Sequence, residues 1–355
     1  MTIKVNRRAV LYAFASSVLF GLSTPAAKAL LGDVSPTILA GLLYCGAGIG
    51  TAILRGFAHG LVSHSADREA GLGRAALPWL AGAIVAGGVI GPILLMIGLT
   101  NTQASTASLL LTLEGVATAL LAWFLFHENF DHRIVLGMGA VVAGAGVLAW
   151  SGRPTFSGLI GPLAIAAACI AWALDNNLTR KVSLADPLQI VELKGLLAGP
   201  VNVAIGLIAG NALPSFPKAL SAGVVGFLGY GVSIALFIRA LRDLGTARTG
   251  AYFSTAPFFG ASAAVLVLGE PLTLQLVTAG VLMGVGVLLH LTEHHDHEHV
   301  HEVAAHDHRH RHDEHHQHAH QSTDPPGEPH AHWHEHSQQA HTHPHVPDSH
   351  HRHRH

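Results

Sequence analysis

The side chain in this sequence best placed to do chemistry is Glu114, an acid in the middle of a long apolar run. It lies 12 residues after Thr102 and 12 before Phe126, the predicted ends of that run. A charged side chain near the centre of a bilayer costs roughly 2.5–3.5 kcal/mol on insertion scales, so it normally faces a cavity or a partner. We predict that Glu114 binds a cationic or polar molecule, or exchanges one for a proton. The alternative is a protonated Glu that only hydrogen-bonds to a neighbouring helix.

More polar side chains cluster in two later apolar runs. Asp175, Asn176 and Asn177 are consecutive near the end of the sixth run, and Glu192 and Lys194 follow in the seventh. Residues two apart on a helix lie about 200° from each other around its axis, so only one of the last two can easily face the same cavity. We predict that Lys194 pairs with Asp175 while Glu192 packs elsewhere. Such a pair would be either purely structural or part of a gate.

Two further residues complete the candidate binding set. Lys28 lies three residues before the predicted end of the first run, so it could reach the site or simply extend to the membrane interface. Tyr252 could line a pathway, although aromatic residues in apolar runs more often belong to the core. The candidate binding residues are Glu114, Asp175, Asn176, Asn177, Lys194, Tyr252 and Lys28.

Histidines carry the other candidate chemistry. Of the 29 His, 24 lie within residues 294–355, interleaved with carboxylates. Neutral imidazole is the commonest protein ligand for zinc, nickel, cobalt and copper ions, so we predict diffuse metal binding by many overlapping sites. The expected ligands are His294, His295, His297, His299, His301, His306, His308, His310 and His312.

The same segment contains no Leu, Ile or Phe. It cannot build a hydrophobic core, so it predicts a disordered tail. Metal binding by this tail could also be incidental to a low-complexity extension. A third interpretation is a pH-responsive or lipid-binding tail, since imidazoles protonate near pH 6.5.

The composition of the whole chain indicates where these groups must lie. Charged residues make up 12% of its 355 residues and apolar residues 50%, against about 25% charged residues in soluble domains. The tail carries a formal charge of −6 and the remaining 293 residues carry +4. Cys45 and Cys169, the two cysteines, both lie in apolar runs. An ordinary soluble enzyme, a disulfide scaffold and a nucleic-acid-binding domain are therefore excluded.

Ten apolar runs are long enough to cross a bilayer as helices, which takes about 20 residues each. They cover residues 9–31, 35–54, 77–99, 102–126, 134–150, 158–178, 187–209, 219–241, 247–268 and 273–291. Most connections are short, apart from the polar segment 55–76. We predict an all-α polytopic membrane protein whose ten transmembrane helices form one bundle in the lipid bilayer.

Lys and Arg residues predict the orientation of this bundle. With the N-terminus inside, twelve of them fall in inner segments and two, Arg153 and Lys218, in outer loops. We therefore expect a multi-pass protein of the cytoplasmic (inner) membrane, with both termini and the histidine tail in the cytoplasm.

The chain also repeats itself. The stretch ending at Glu128 aligns with the stretch ending at Glu270, 142 residues later. Each half would hold five helices, and an odd number inverts the second half relative to the first, as in many proteins with a midplane site that opens to alternate faces. The predicted units are residues 1–152, 153–293 and the tail 294–355. We interpret Glu128 and Glu270 as caps that close the next helix, not as ligands.

Three stretches resemble a known family. Residues 99–150, 172–183 (WALDNNLTRKVS) and 192–199 (ELKGLLAG) resemble the two halves of EamA-type transporters of the drug/metabolite transporter superfamily. The resemblance extends over about residues 9–291. It implies ten helices, cytoplasmic termini, no required cofactor, and export or exchange of a small solute driven by its own gradient or by a coupling ion, for example the proton. It does not specify the solute, because relatives move chemically diverse compounds.

We therefore expect a secondary transporter that exports a small solute by alternating access, and not an enzyme. The chain has no GxxxxGK[ST] pattern for ATP, and its apolar runs have no HExxH or GxSxG pattern. One alternative is an exporter of divalent nickel, cobalt or zinc fed by the tail, although only His290 approaches the predicted spans. The other is a metal buffer or sensor that uses the bundle as an anchor.

Overall fold

The structure of the chain is a computed structural model. It describes residues 7–61, 72–126, 132–150, 156–182, 186–244 and 246–291, together with residues 295–301, 304–310, 330–336 and 339–345 of the tail. All regular secondary structure in its described part before residue 292 is helical. The all-α prediction is confirmed for this part of the chain.

The first half of the chain contains seven described α-helices. They are α1 (Arg7–Leu30), α2 (Pro36–Leu61), α3 (Leu77–Ala83), α4 (Gly91–Thr100), α5 (Ala104–Leu110), α6 (Leu113–Phe126) and α7 (His132–Ala149). A 3-10 turn, Arg74–Ala76, precedes α3. A π-helical segment, Ile84–Ile90, joins α3 to α4.

The second half contains seven more. They are α8 (Phe156–Arg180), α9 (Pro187–Ile208), α10 (Phe216–Gly226), α11 (Ser233–Leu244), α12 (Thr246–Phe253), α13 (Ala256–Val267) and α14 (Leu274–Leu291). A second π-helical segment, Phe227–Val232, joins α10 to α11. The two π-helical segments begin 143 residues apart, close to the repeat distance of the sequence.

Eight helical stretches in the described residues are long and apolar enough to cross a membrane. They correspond to the first eight predicted spans, and the stretches with π-helical segments each count as one. The last two predicted spans contain the shorter apolar helices Ala256–Val267 and Leu274–Leu289. The structure therefore supports a multi-pass membrane protein.

Two predicted spans, 102–126 and 247–268, are each divided into two helices. The breaks lie at Leu111–Thr112 and at Ser254–Thr255. At each break a threonine hydroxyl donates to the carbonyl three residues earlier, at 2.8 Å for Thr112 and 2.6 Å for Thr255. Side-chain hydrogen bonds of this kind compete with the backbone hydrogen bonds of the helix. The second break is also followed by Pro257, which has no N–H to donate.

The bundle is held together at its centre by close packing of α2 against α9. A Cβ atom at Gly48 would lie 2.6 Å from the backbone nitrogen of Leu196, and one at Gly199 would lie 2.6 Å from that of Cys45. Only glycine permits this separation, which is how small residues bring membrane helices together. Gly87 and Gly91 are likewise tightly packed, whereas Gly280 has an ordinary contact, 3.6 Å to Leu109.

The described part of the tail contains four strands, β1 (His295–His301), β2 (Ala304–His310), β3 (His330–His336) and β4 (Gln339–His345). β1 pairs with β4 and β2 with β3, both antiparallel and in one common register. The structure thus differs from the predicted disorder in these segments. A histidine at every second position matches the two-residue period of a strand.

Candidate functional site

An ion pair between Asp175 on α8 and Lys194 on α9 lies inside the bundle. The Lys194 Nζ atom is 2.6 and 2.7 Å from the two carboxylate oxygens of Asp175. Thr179 donates its hydroxyl to the same carboxylate at 2.9 Å. The exposed fractions of the two charged side chains are 8% and 16%, so the pair is largely removed from water. The predicted pairing is present, and the two charges cancel.

Glu192 faces another direction, as the two-residue spacing requires. It accepts a hydrogen bond from Arg55 at 2.8 Å, and Arg55 also contacts Asp186 at 3.0 Å. Asp186 in turn caps α9 by accepting from the backbone N–H of Leu188. This network, the Arg55 clamp, joins the last turns of α2 to the start of α9 at one end of the bundle.

Glu114 lies in the first turn of α6, directly after the break at Thr112. A negative charge is favourable there because the first N–H groups of a helix are unpaired. Asn176 on α8 donates its side-chain amide to Glu114 at 2.9 Å and lies 3.3 Å from the hydroxyl of Thr118. The hydrogen-bonding partner of Glu114 is therefore neutral, in contrast to the partner of Asp175.

Asn177 does not join this group. Its amide donates to the carbonyl of Ala173 at 2.8 Å, and the carbonyl of Thr118 lies 3.4 Å away. It is almost fully buried. We assign Asn177 to the contact between α8 and α6, not to binding.

An aromatic cluster joins five rings from five separate elements. The rings of Tyr44 and Tyr230 stack at a centroid distance of 5.8 Å, and Phe20 meets Tyr230 edge-on at 5.8 Å. Phe253 and Phe237 extend the cluster through contacts of 5.0 and 4.9 Å.

Glu114 is partly exposed although it lies in a helical stretch long enough to cross a membrane. Asn176, which donates to Glu114, is also exposed. We infer that these two side chains border a space between the helices, which we call the central cavity.

The first π-helical segment positions two aromatic residues of this region. The carbonyl of Gly87 accepts hydrogen bonds from the hydroxyl of Tyr44 at 2.7 Å and from the indole of Trp172 at 2.9 Å. The next carbonyl, of Gly88, accepts from the amide of Asn202 at 2.9 Å. A π-helical turn changes the i→i−4 hydrogen-bond pattern, and side chains from three other helices bond to its carbonyls here.

Lys28 and Tyr252 lie apart from Glu114 in the described contacts. The Lys28 ammonium donates to the carbonyl of Leu99 and interacts electrostatically with Glu270. Tyr252 is half-buried near the end of α12, where its carbonyl accepts the Thr255 hydroxyl. Neither is joined to the central cavity by a described hydrogen bond.

Glu270 has a different partner from the one expected. Its two carboxylate oxygens accept the backbone N–H groups of Ala104 at 2.7 Å and Ser105 at 2.8 Å. It therefore caps α5 in the other half of the chain, and the prediction that it closes the next helix is wrong. That helix, α14, is capped by Thr273, which accepts from Leu276 N–H at 3.1 Å. Glu128 lies outside the described residues.

The two ends of the bundle are packed differently around the breaks. Near Glu270, α5 packs against α13. Towards the Arg55 clamp, α6 packs mainly against α8, whereas α12 packs against α1 and α11. The halves of the two broken helices thus meet at the Glu270 end and diverge towards the other end.

Sequence reasoning missed Tyr44, Tyr230 and Thr118. Each has an ordinary residue type for a membrane helix, and its role depends on contacts with other helices. The one signal available was the Gly-Tyr-Gly sequence around Tyr230, where two residues of low helix propensity flank the ring.

The metal-binding prediction gains no support from the described residues. They contain no group of three or more His, Cys, Asp or Glu that could hold a metal ion. His294 and His312 lie outside the described residues. His295, His297, His299, His301, His306, His308 and His310 belong to β1 and β2, whose backbone alone is described. The alternative of a nickel, cobalt or zinc exporter therefore has no supporting site in the described part of the chain.

A comparison with family models matches residues 7–150 and 159–292 to the EamA-like transporter family, in two copies. Residues 151–158 separate the two copies.

Two individual proteins and one solved structure are also similar to this chain. An uncharacterized transporter of Methanothermobacter thermautotrophicus is 29% identical over 290 residues, which is 77% of this chain and 83% of that protein. The uncharacterized transporter YyaM of Bacillus subtilis is 25% identical over 209 residues, covering 55% of this chain and 67% of that protein. A solved crystal structure with 19% identity matches 79% of this chain and 95% of its own with a TM-score of 0.58, which supports the fold.

Proposed function

Because the chain belongs to the EamA-like transporter family, we propose that it is a secondary transporter that exports a small solute across the cytoplasmic membrane by alternating access. The ten spans would form two inverted five-helix halves, with the solute bound in the central cavity. The observation that carries this proposal is the position of Glu114. It is a partly exposed acid that accepts a hydrogen bond from Asn176, at the start of a helix that follows a break in the middle of a predicted span.

The paired irregularities of the two halves support the mechanism. The helix breaks at Leu111 and Ser254 are 143 residues apart, as are the starts of the π-helical segments. Discontinuous helices at corresponding positions of two repeats are typical of transporter binding sites. They expose backbone polar groups where a polar solute must be held inside the membrane.

The uneven packing of the two ends supports alternating access. Contacts between α5 and α13, together with the Glu270 cap, close one end of the cavity. The divergence of α6 from α12 leaves the other end less closely packed. A transporter must form the opposite arrangement in the other half of its cycle, by rocking one group of helices against the other. With the orientation predicted from Lys and Arg, the closed end is the outer one.

The test is a comparison of metabolites in cells that express the chain or its Glu114→Gln variant. Untargeted mass spectrometry of cells and medium should find at least one small metabolite that is depleted inside and enriched outside only with the unmodified chain. Glu192→Gln is the matched control, because Glu192 lies in the Arg55 clamp and not at the cavity. If the Glu114→Gln variant releases the same metabolite to the same extent, Glu114 is not part of the binding site. If no metabolite changes when the chain is expressed, the proposal of export is contradicted.

The orientation has a separate test. A reporter that is active only in the cytoplasm should give a signal when fused after residue 291, and activity of a periplasmic reporter there would invert the proposed topology.

A further inference from the structure

The strands of the tail align histidine with histidine. β1 pairs with β4, and β2 with β3, which gives two antiparallel ribbons. In each ribbon, three register pairs, spaced two residues apart, consist of two histidines. These histidine pairs are His295–His345, His297–His343 and His299–His341 in the first ribbon, and His306–His334, His308–His332 and His310–His330 in the second.

The histidine pairs of one ribbon belong to the same face. Residues two apart in a strand share a face, because successive positions alternate between the two sides of a sheet. Residues directly opposite each other in an antiparallel pair have Cβ atoms about 4.5–5.5 Å apart, and diagonal neighbours are about 7–8 Å apart. Two neighbouring pairs, such as His297–His343 and His299–His341, therefore bring four histidines into one small patch of the ribbon.

The acids of the same strands belong to the opposite face. They occupy the alternate positions Asp296, Glu298, Asp307 and Glu335. In the described strands, the face of the histidine pairs contains only histidine apart from Ala304 and Gln339. Imidazole suits zinc, copper and nickel ions, whereas carboxylates suit magnesium, calcium and manganese. The register thus separates nitrogen ligands from oxygen ligands that are interleaved in the sequence.

Metal binding and strand pairing should be coupled in these ribbons. The described residues hold no preformed group of three or more His, Cys, Asp or Glu, and an isolated two-stranded ribbon is only marginally stable in water. The free energy of metal binding stabilises such small structures, because the unfolded chain has no site. An ion bound by both strands of a ribbon would close the loop between them and hold them in register.

We propose that each ribbon binds one divalent transition metal ion, zinc, nickel, cobalt or copper, through the four histidines of two neighbouring histidine pairs. Four nitrogen ligands match the coordination number of zinc. The central pairs, His297–His343 and His308–His332, are needed whichever neighbour completes the site. The ion stays bound in the tail and is not the transported solute. This inference therefore goes beyond the transport function and does not depend on it.

Metal binding by the purified full chain in detergent is the first test. The chain is treated with a chelator, dialysed against zinc and then against metal-free buffer, and the retained zinc is counted by elemental analysis. We expect two zinc ions per chain, one for each ribbon. Magnesium in the same procedure should not be retained, because imidazole is a poor ligand for it.

Two double variants of equal histidine content distinguish paired sites from diffuse binding. His297→Gln with His343→Gln removes a central pair and should lower the retained zinc from two ions to one. His301→Gln with His336→Gln is the matched control, because neither of these histidines has a histidine as its register partner. It should retain both ions. If the two variants retain equal amounts of zinc, or if the unmodified chain retains none, the proposal is wrong.

The register has a separate test. Glu298 and Thr342 are register partners on the face opposite the histidine pairs. Nitroxide labels are attached to Glu298→Cys and Thr342→Cys in a chain whose Cys45 and Cys169 are replaced by Ser. Zinc should narrow the distance distribution of the labels, measured by pulsed electron paramagnetic resonance, to a single short distance. It should not do so when the central pair is also removed. A distribution that zinc leaves unchanged in the chain with all histidines would overturn binding across the strands.

Discussion

The carboxylate of Glu270 accepts a hydrogen bond from the backbone N–H of Ala104 at 2.7 Å, although the two residues are 166 positions apart. Its second oxygen accepts from Ser105 at 2.8 Å. Glu270 lies in the second half of the chain and caps α5, a helix of the first half, at the end where α5 and α13 meet. Both first N–H groups of α5 are satisfied by this one side chain. We expect the cap to form only while that end of the cavity is closed.

Replacement of Glu270 by Ala should therefore favour opening at this end. Loss of a helix cap costs roughly 0.5–2 kcal/mol, so the closed state should become roughly two- to thirtyfold less favoured. Accessibility can be measured by maleimide labelling of Ser108→Cys, which is buried below the cap, in a background with Cys45 and Cys169 replaced by Ser. Glu270→Ala should increase the labelling rate.

Thr273→Ala is the matched control for that measurement. Thr273 caps α14 within its own half, so its loss should lower stability without faster labelling of position 108. Equal labelling in Glu270→Ala and the parent would show that the cap does not hold this end closed.

The stability of the protein should depend on Asp175 and Lys194 together. Removing one of the two charges should destabilise the protein more than removing both. Asp175→Leu leaves the Lys194 ammonium in a largely buried position, and breaking one side of a buried pair typically costs about 3–5 kcal/mol. Removing both charges, in Asp175→Leu with Lys194→Met, should recover much of that loss. The measurement is thermal unfolding of all four members of the double-mutant cycle in detergent. Additive losses would show that the pair is not coupled.

Gly87 should not tolerate even a methyl group. A Cβ atom there would lie 1.9 Å from a carboxylate oxygen of Asp175 and 2.5 Å from its Cβ. Gly87→Ala should therefore displace Asp175 from Lys194 and lower both melting temperature and transport. Gly280→Ala is the control, since its nearest neighbour is Leu109 at 3.6 Å, an ordinary contact. If the two variants behave alike, the close contact at Gly87 is not required.

The tail should be separable from the bundle. The family match ends at residue 292, and the bundle helices end at Leu291. A chain that ends at residue 293 should insert and fold with a melting temperature close to that of the full chain. Membrane fractionation and detergent size-exclusion provide the measurement. Failure of this shorter chain to insert would mean that the tail contributes to folding.

Much of the architecture follows from the sequence alone. Apolar runs of about 20 residues identify the spans because the bilayer leaves few other solutions for the backbone. The two-residue spacing of Glu192 and Lys194 places them on different sides of α9, and the structure pairs them with Arg55 and Asp175 respectively. The family itself follows from the repeated stretches. These properties depend on local pattern, which a linear sequence records.

Other properties depend on contacts between distant segments. The partner of Glu270 lies in the other half of the chain, and its capping of α5 instead of the next helix follows from how α5 meets α13. The break at Leu111–Thr112 contains no Gly or Pro, although Gly115 follows shortly after it, and the hydroxyl of Thr112 bonds to a backbone carbonyl there. Tyr44 and Tyr230 stack only because α2 and the second π-helical segment converge. The sequence determined the helices and the acid within the membrane, whereas the tertiary structure decided which groups surround that acid, because side-chain neighbours are fixed by packing and not by position in the chain.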